Sequence, residues 1–271
     1  MPLSRSENRL PLRETASLWE RLAADGKPVY LYGMGDGADK ALAVLARIGV
    51  PVAGVFASDE FVRGQTFRGW PVRRFAEVKA LDPFPRVLLC FGSHDPAVLA
   101  RIERLEAECE LYAPDLPVVW EGGEVFDGKY LKENFAEFNE LYCRLADEAS
   151  RRTLRGLLDY RLSGRLAYLR EIETPRAAVW ELLAPGPEEC FLDLGAYRGD
   201  TVREFLAQTG GRYRRIDAFE PDPHSFGKLE QSLAGLPNAA AHAVAAGDAP
   251  GRMPLRSGRR GRGSGVSTSG N

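Results

Sequence analysis

The 271-residue chain is poor in cysteine, carries little net charge and contains no long apolar run. Its four cysteines, Cys90, Cys109, Cys143 and Cys190, lie far apart, which excludes a disulfide framework and a site built on close cysteine pairs. We therefore expect reduced, mostly buried thiols and no bound metal. The formal net charge of −2 and the pI near 6.0 give no general attraction to nucleic acid or to anionic lipid.

The N-terminal residues lack the apolar core of a secretion signal, and no run of about 18 apolar residues occurs anywhere in the chain. These absences favour a cytoplasmic protein that does not engage a membrane. The composition that is present, 44% hydrophobic and 27% charged residues, is enough to build a sizeable core over two modest domains.

Short apolar runs alternate with helical patterns, which is typical of α/β proteins with parallel sheets. We predict a small N-terminal Rossmann-like domain over residues 1–124, whose last strand is LPVVW at 116–120. Residues 125–172 carry apolar side chains three or four apart and are predicted to form a helical connector. Residues 173–271 return to alternating strands and helices and are predicted to form a second α/β domain.

The stretch CFLDLGAYRGDTVREFL, residues 190–206, is the most informative part of the second domain. A buried strand ends at Asp193 and Gly195, and Gly199 precedes the next helix. Glycines at such a turn let a ligand approach the backbone, and the helix N-terminus supplies free N–H groups. The following strand ends in AFEPD, so Glu220 comes to the neighbouring strand end, where a carboxylate can accept both hydroxyls of a ribose.

Two classes of adenosine-containing cofactor use such a carboxylate, and the glycine spacing distinguishes them. Dinucleotides favour G-x-G-x-x-G, whereas this loop is D-x-G-x-x-x-G, with the bulky Tyr197 and Arg198 where a pyrophosphate would lie. Asp193 repels a pyrophosphate but attracts the ammonium and sulfonium groups of S-adenosylmethionine. The residues therefore favour S-adenosylmethionine over NAD. The alternative is a structural Asp-Gly turn without a ligand.

Three sequence blocks resemble FkbM-type S-adenosylmethionine-dependent methyltransferases: FLDLGAYRGDTVREF, IDAFEPDPHSFGKLEQSL and HAVAAGD. The segment LADEASRRTLRGLLDYRLSG is similar to the helical region that precedes this domain in longer family members. The resemblance implies a class I methyltransferase fold with S-adenosylmethionine as cofactor. It also implies O-methylation of a hydroxyl group on a small-molecule or saccharide acceptor.

The resemblance transfers to a glycine loop, a ribose block and an adenine contact, which together form the predicted cofactor site. Its residues are Asp193, Gly195, Ala196, Tyr197, Gly199, Asp200 and Thr201 in the loop and helix start, Glu220, Pro221 and Asp222 in the ribose block, and Val244 and Ala245 beside the adenine. Typical members carry asparagine where Tyr197 stands, so this position departs from the family pattern. The sequence does not single out a general base.

A second glycine loop, GMGDGA at residues 33–38, follows a predicted strand, opens a helix and fits G-x-G-x-x-[G/A]. The acidic residue expected at the end of the next strand is missing, because Asp59 lies past that strand. Two interpretations stay open, a tight turn without a ligand and a nucleotide or sugar-nucleotide site in a non-catalytic binding protein. The residues of that second site would be Gly33, Gly35, Gly37 and Ser93. An NAD-dependent oxidoreductase would depend on this loop alone.

The second domain carries three predicted strands, fewer than a class I methyltransferase sheet normally has. We therefore expect an incomplete methyltransferase domain, with weak cofactor binding and poor turnover. The tail SGRRGRGSGVSTSGN, residues 257–271, contains no aromatic residue on which a base could stack. We interpret it as a flexible end rather than as a nucleic-acid-binding arm.

Overall fold

The computed structural model describes residues 9–93, 95–117, 124–247, 249, 251, 255–256 and 265–266. The chain divides into two compact units, Met1–Glu173 and Thr174–Asn271. The helices between residues 125 and 172 therefore belong to the first unit. The finer division of the chain at residues 124 and 172 stays a prediction.

The first unit is built on a mixed six-stranded sheet in the order β3-β4-β2-β1-β5-β6. All neighbouring strands are parallel except β3 and β4, which form an antiparallel pair. The strands are β1 (Val29–Tyr32), β2 (Val52–Phe56), β3 (Thr66–Phe67), β4 (Trp70–Arg73), β5 (Arg86–Leu89) and β6 (Glu110–Tyr112). Because the chain moves outward from β1 in both directions, the sheet is doubly wound, as in Rossmann-like folds.

Helices cover both faces of this sheet, and the side chains of β1 alternate between the two faces. Val29 and Leu31 pack in one apolar cluster with α1 and α2, whereas Tyr30 and Tyr32 pack in another with α3 and α4. The helices are α1 (Leu18–Asp25), α2 (Asp36–Ile48), α3 (Phe75–Leu81) and α4 (Pro96–Glu106), and a 3-10 turn spans Asp59–Phe61. All four residues of β1 are buried, which explains why this strand has no charged residue.

The strand predicted over residues 116–120 lies mostly outside the described residues. Of its five residues the structure describes Leu116 and Pro117, which are not in a strand. Among the described residues, the strand beside β5 is β6, which was not predicted and pairs with β5 in parallel. This three-residue strand begins with the polar Glu110, so neither its length nor its composition resembles a buried strand.

Four further helices complete the first unit: α5 (Gly128–Glu133), α6 (Phe135–Arg144), α7 (Glu148–Ser163) and α8 (Leu166–Ile172). The predicted apolar stripe faces a common core, in which Tyr142, Leu158 and Leu162 are buried. A Cβ atom on Gly156 of α7 would lie 2.4 Å from Ile172 Cγ2, so the glycine lets α8 approach α7 closely. None of the helices in the described residues is long and apolar enough to cross a membrane.

The second unit contains a parallel sheet in the order β7-β8-β9. Its elements are α9 (Arg176–Leu183), β7 (Cys190–Leu194), α10 (Asp200–Thr209), β8 (Arg215–Phe219), α11 (Pro223–Leu233) and β9 (Ala239–His242). A two-residue antiparallel pair, β10 (Leu255–Arg256) with β11 (Gly265–Val266), follows. The three predicted strands and the helices between them are confirmed, while the predicted tail lies almost wholly outside the described residues.

One face of the second sheet is covered by α10 and α11, whose side chains pack on Ile216 and Ala218. On β7, side chains alternate between this core and the opposite face. On that opposite face Leu192 and Leu194 are more than half exposed. The strand therefore has the composition of a buried strand but is buried on one side.

Candidate functional site

The predicted cofactor residues come together at the carboxyl edge of the second sheet. In the register of β7 and β8, Asp193 lies opposite Ala218, so Asp193 and Glu220 lie at the ends of adjacent parallel strands. Val244 and Ala245 follow β9, which is the neighbour of β8 on its other side. Parallel strands end at a common edge, so the three predicted parts of the site share one edge of the sheet.

The two glycines of the loop after β7 have different structural reasons. Gly195 has a φ of +88°, and its added Cβ would meet no described atom within 4 Å, so open space lies over the strand end. Gly199 has a φ of +76°, and its Cβ would lie 2.4 Å from Ser232 Oγ. Packing of the loop against α11 thus favours Gly199, because a larger residue would make the Ser232 hydroxyl move, whereas only the backbone conformation and the free space above it distinguish Gly195.

Glu220 is buried and binds the backbone on both sides of the site. Its Oε2 accepts the N–H of Tyr197 at 2.9 Å, and its Oε1 accepts the N–H of Asp222 at 2.8 Å. Its own N–H donates to the carbonyl of His242 on the third strand. A carboxylate has about four acceptor positions, so two remain for a ligand after these two hydrogen bonds.

Asp193 is a buried carboxyl group of this site, and one of its oxygens has no hydrogen-bond donor among the described residues. The side chain is 8% exposed, and its Oδ2 has no hydrogen-bond partner among the described residues. Burial, and then the negative charge of Asp200, raises the pKa of the Asp193 carboxyl above its usual value. A buried carboxylate without a donor is unfavourable, so a cation or hydrogen-bond donor placed here would be bound strongly.

The remaining loop residues have structural roles in the fold. Ala196 is buried in the core, and its N–H donates to Phe219 O at 2.9 Å. Tyr197 has a φ of +49°, in the left-handed region that asparagine tolerates better than other non-glycine residues. This conformation gives a physical reason for the asparagine of typical family members. Asp200 and Thr201 form the first turn of α10.

In the ribose block, Asp222 is the N-cap of α11 and accepts the N–H of Ser225 at 2.9 Å. This backbone hydrogen bond lowers the pKa of the Asp222 carboxyl. Pro221 lies in the turn between β8 and α11, and Val244 is exposed in the loop after β9. The N–H groups that bind Glu220 were not predicted, because backbone donors leave no signal in the side-chain sequence.

The N-terminal glycine loop is largely explained by the fold of the first unit. Gly33 has a φ of +118°, and a Cβ on Gly37 would lie 2.2 Å from the carbonyl oxygen of Cys90, which follows β5. Gly35, the N-cap of α2, has neither constraint, and its Cβ would meet no described atom within 4 Å. Ser93 follows β5 at the same edge of the sheet. Gly35 is thus the position that separates the two interpretations of this loop.

Alanine substitution should destabilise the protein at Gly37 and leave its stability nearly unchanged at Gly35. We expect Gly37→Ala to destabilise the first unit by about 1–3 kcal/mol, because the methyl group meets a backbone carbonyl. Gly35→Ala should leave stability within about 0.5 kcal/mol. Hydrogen exchange of peptides from α2 and β5 measures both effects. Equal protection in the two variants would contradict the close approach of α2 to β5.

Among the described residues, no group of three or more His, Cys, Asp or Glu side chains could hold a metal ion. Of the four cysteines, Cys90 and Cys109 are buried and Cys190 is exposed, and none of the four forms a disulfide among the described residues. Burial raises the pKa of the Cys90 and Cys109 thiols to about 12, which makes both unreactive.

A parallel sheet with an acidic residue at two adjacent strand ends and a glycine turn between strand and helix defines a Rossmann-like α/β fold. No protein-family model and no curated protein matches the chain. Among solved structures, the chain is similar to methyltransferase FkbM from Methylobacillus flagellatus KT, with a TM-score of 0.59 and 20% identity over 88% of this chain and 68% of that one. The likeness confirms the predicted α/β fold class, which matches a methyltransferase fold.

Proposed function

We propose that the chain is an S-adenosylmethionine-dependent methyltransferase that methylates a hydroxyl group of a sugar or related small metabolite. The observation that carries this proposal is Asp193, a buried carboxylate with an unpartnered oxygen at a strand end. The ammonium group of the cofactor is a donor of the right charge for this position. The methyltransferase fold of the solved neighbour supports the same conclusion.

The other residues of the edge fit the rest of the cofactor. The open space at Gly195 can admit a ligand against the backbone, and Glu220 is held rigidly with two acceptor positions for ribose hydroxyls. Val244 and Ala245 would contact the adenine ring. Because Glu220 is already fixed by two backbone hydrogen bonds, little side-chain entropy would be lost on binding.

When bound, the cofactor supplies a methyl group on a sulfonium, which is open to in-line attack by an oxygen nucleophile. The contribution of the protein is to hold the donor and the acceptor oxygen about 3 Å apart and aligned, which can account for roughly 7–11 kcal/mol of the barrier. Asp193 and Glu220 would fix the two ends of the adenosyl ligand. We therefore expect the acceptor to approach the cofactor at the carboxyl edge of the second sheet, where both residues lie.

Binding of S-adenosylhomocysteine, measured by titration calorimetry, tests the proposal. We expect saturable binding to the intact chain, and no binding of NAD under the same conditions. The non-catalytic alternative, a nucleotide or sugar-nucleotide site at Gly35, predicts the opposite selectivity: binding of a nucleotide-sugar that Gly35→Ala abolishes. Absence of S-adenosylhomocysteine binding at millimolar concentration would overturn the methyltransferase proposal.

Asp193→Asn should increase stability and decrease ligand affinity. Because the folded-state pKa of Asp193 is raised above its ordinary value of 3.8, its protonated form favours folding at low pH. That contribution is lost as the pH rises through the folded-state pKa, so at pH 7 the ionised group destabilises the ligand-free unit. Asparagine avoids this penalty but loses the charge, so S-adenosylhomocysteine should bind about 10–100-fold more weakly.

Urea denaturation, monitored by hydrogen exchange of peptides from β7, measures the stability of this variant. Titration calorimetry measures its affinity for S-adenosylhomocysteine. The stability advantage of Asp193→Asn over the parent should shrink as the pH falls toward 4. A variant that is less stable than the parent at pH 7 but binds the ligand normally would contradict both parts of the prediction.

A further inference from the structure

A cavity of about 260 Å³ in the first unit has three arginines among its six lining residues and plays no part in the proposed methyl transfer. It lies between the N-terminal segment, α7 and α8. Its lining residues are Pro11, Arg13, Arg152, Arg155, Glu171 and Ile172. Asp159 beside Arg13 and Glu148 beside Arg155 add two negative charges to that of Glu171, so the acidic groups equal the arginines in number.

Two buried features hold this cavity in shape. Asp159, with no exposed surface, accepts the N–H of Arg13 at 2.9 Å and its Nε at 3.4 Å, which fixes the N-terminal segment on α7. Gly156 lets Ile172 pack directly on α7 and thereby close one wall. The cavity is therefore part of the packed structure and not a gap beside a loose segment.

The three arginines are unequally paired. Arg13 binds Glu171 at 2.6 Å in addition to Asp159, and its guanidinium lies 4.4 Å above the ring of Tyr168. Arg155 lies 3.7 Å from Glu148, which is too long for a hydrogen bond. After the hydrogen bond from Arg13, the charge of Arg155 also lowers the pKa of the Glu171 carboxyl.

Arg152 makes no hydrogen bond or ion pair with the described residues. Arg152 and Arg155 lie one turn apart on α7, so both guanidinium groups can reach the same ligand.

We propose that this cavity binds the phosphate groups of a small metabolite, with Arg152 and Arg155 as the donors and Arg13 as the fixed wall. Two guanidinium groups match the oxygens of a phosphate or diphosphate in charge and in fork geometry. The volume admits a diphosphate but is smaller than most sites that enclose a whole drug-sized ligand. The organic part of the metabolite would therefore extend out of the cavity.

Titration calorimetry with the intact chain at constant ionic strength tests this site, with inorganic diphosphate, uridine diphosphate and uridine as probes. We expect both phosphate-bearing probes to bind saturably and uridine not to bind. Arg152→Gln and Arg155→Gln should each weaken binding about tenfold, and the double variant about a hundredfold. Arg144→Gln on α6 is the matched control, because it removes the same charge from an exposed arginine outside the cavity.

Several results would overturn the proposal: no saturable binding of either phosphate probe, equal weakening in all three single variants, or tighter binding of a short DNA duplex than of uridine diphosphate. Binding of S-adenosylhomocysteine should be unchanged in the double variant. This control keeps the phosphate site independent of the methyltransferase proposal, since either can fail without the other.

Discussion

Glu220→Ala should both destabilise the second unit and weaken its binding of S-adenosylhomocysteine. The substitution leaves the N–H groups of Tyr197 and Asp222 without their acceptor at a position where Glu220 is 7% exposed. Each orphaned donor costs about 1–3 kcal/mol, so a loss of roughly 2–6 kcal/mol is expected for the two. Loss of the two ribose contacts should weaken binding about a hundredfold in addition.

Glu220→Gln separates these two effects. Its side-chain oxygen can accept one of the backbone N–H groups, while its NH₂ group faces the other donor, so we expect an intermediate loss of stability. Hydrogen exchange at the start of α10 and α11 reports the loop, and calorimetry at low temperature reports the affinity of the folded fraction. Glu230→Ala, on the exposed side of α11, is the matched control and should change neither.

If a folded Glu220→Ala variant kept its affinity, Glu220 would not bind the ribose, although its structural role would stand. If its stability were unchanged, the hydrogen bonds to the two backbone amides would be refuted instead. The two measurements thus test two different contacts of one carboxylate. The sequence predicted only the contact with the ligand.

The position of Asp193 and Glu220 at one edge could be predicted from the sequence, because it depends on local signals and one general rule. The apolar strands ended at recognisable turn residues, and parallel strands joined by a helix end at the same edge. The helix between them was equally clear, since Gly199 precedes its first residue and Gly210 ends it. Each of these features is encoded within a few residues.

The direction of the Glu220 side chain could not be predicted in this way. Its partners, the N–H groups of Tyr197 and Asp222, belong to the backbone and would be donors whatever side chains stood there. The unpartnered oxygen of Asp193 is equally invisible in the sequence, because it follows from what does not reach it in the fold. Both properties arise from tertiary packing and not from residue type.

The pairing and burial of strands at the sheet edges were also not predicted, because they too depend on tertiary packing. β6 is short and begins with Glu110, yet it pairs with β5 because the neighbouring strand offers free N–H and C=O groups. Conversely, β7 has the composition of a strand buried on both sides, but Leu192 and Leu194 are exposed. Composition indicates which surfaces a strand can bury, whereas burial itself depends on the elements that cover it.

Alanine substitution of the two loop glycines should give different patterns of stability and binding. Gly199→Ala should destabilise the second unit by about 1–3 kcal/mol, because its φ of +76° is strained for alanine and the Ser232 hydroxyl, 2.4 Å from the new methyl group, must rotate away. Gly195→Ala meets no described atom, so only its φ of +88° opposes it, and a loss of about 1–3 kcal/mol is expected. S-adenosylhomocysteine should nevertheless bind at least tenfold more weakly to Gly195→Ala, since the methyl group occupies the ligand space.

The control for backbone strain is Gly210→Ala at the other end of α10. Gly210 has a φ of +61°, and its Cβ would also meet no described atom within 4 Å. Its stability loss should be similar to that of Gly195→Ala, while ligand affinity should stay at the parent value. Hydrogen exchange across α10 and calorimetry with the folded fraction supply the two readouts.

The comparison of Gly195→Ala with Gly210→Ala is decisive because both variants strain the backbone in open space. A change in affinity shared by the two would reflect loosening of α10, whereas a change confined to Gly195→Ala requires a ligand above that residue. If Gly195→Ala bound S-adenosylhomocysteine as the parent does, the loop would be a structural turn. No ligand would then lie over Gly195, where the loop leaves the strand that carries Asp193. The unpartnered carboxylate of Asp193 would therefore not be explained by a cation at that place.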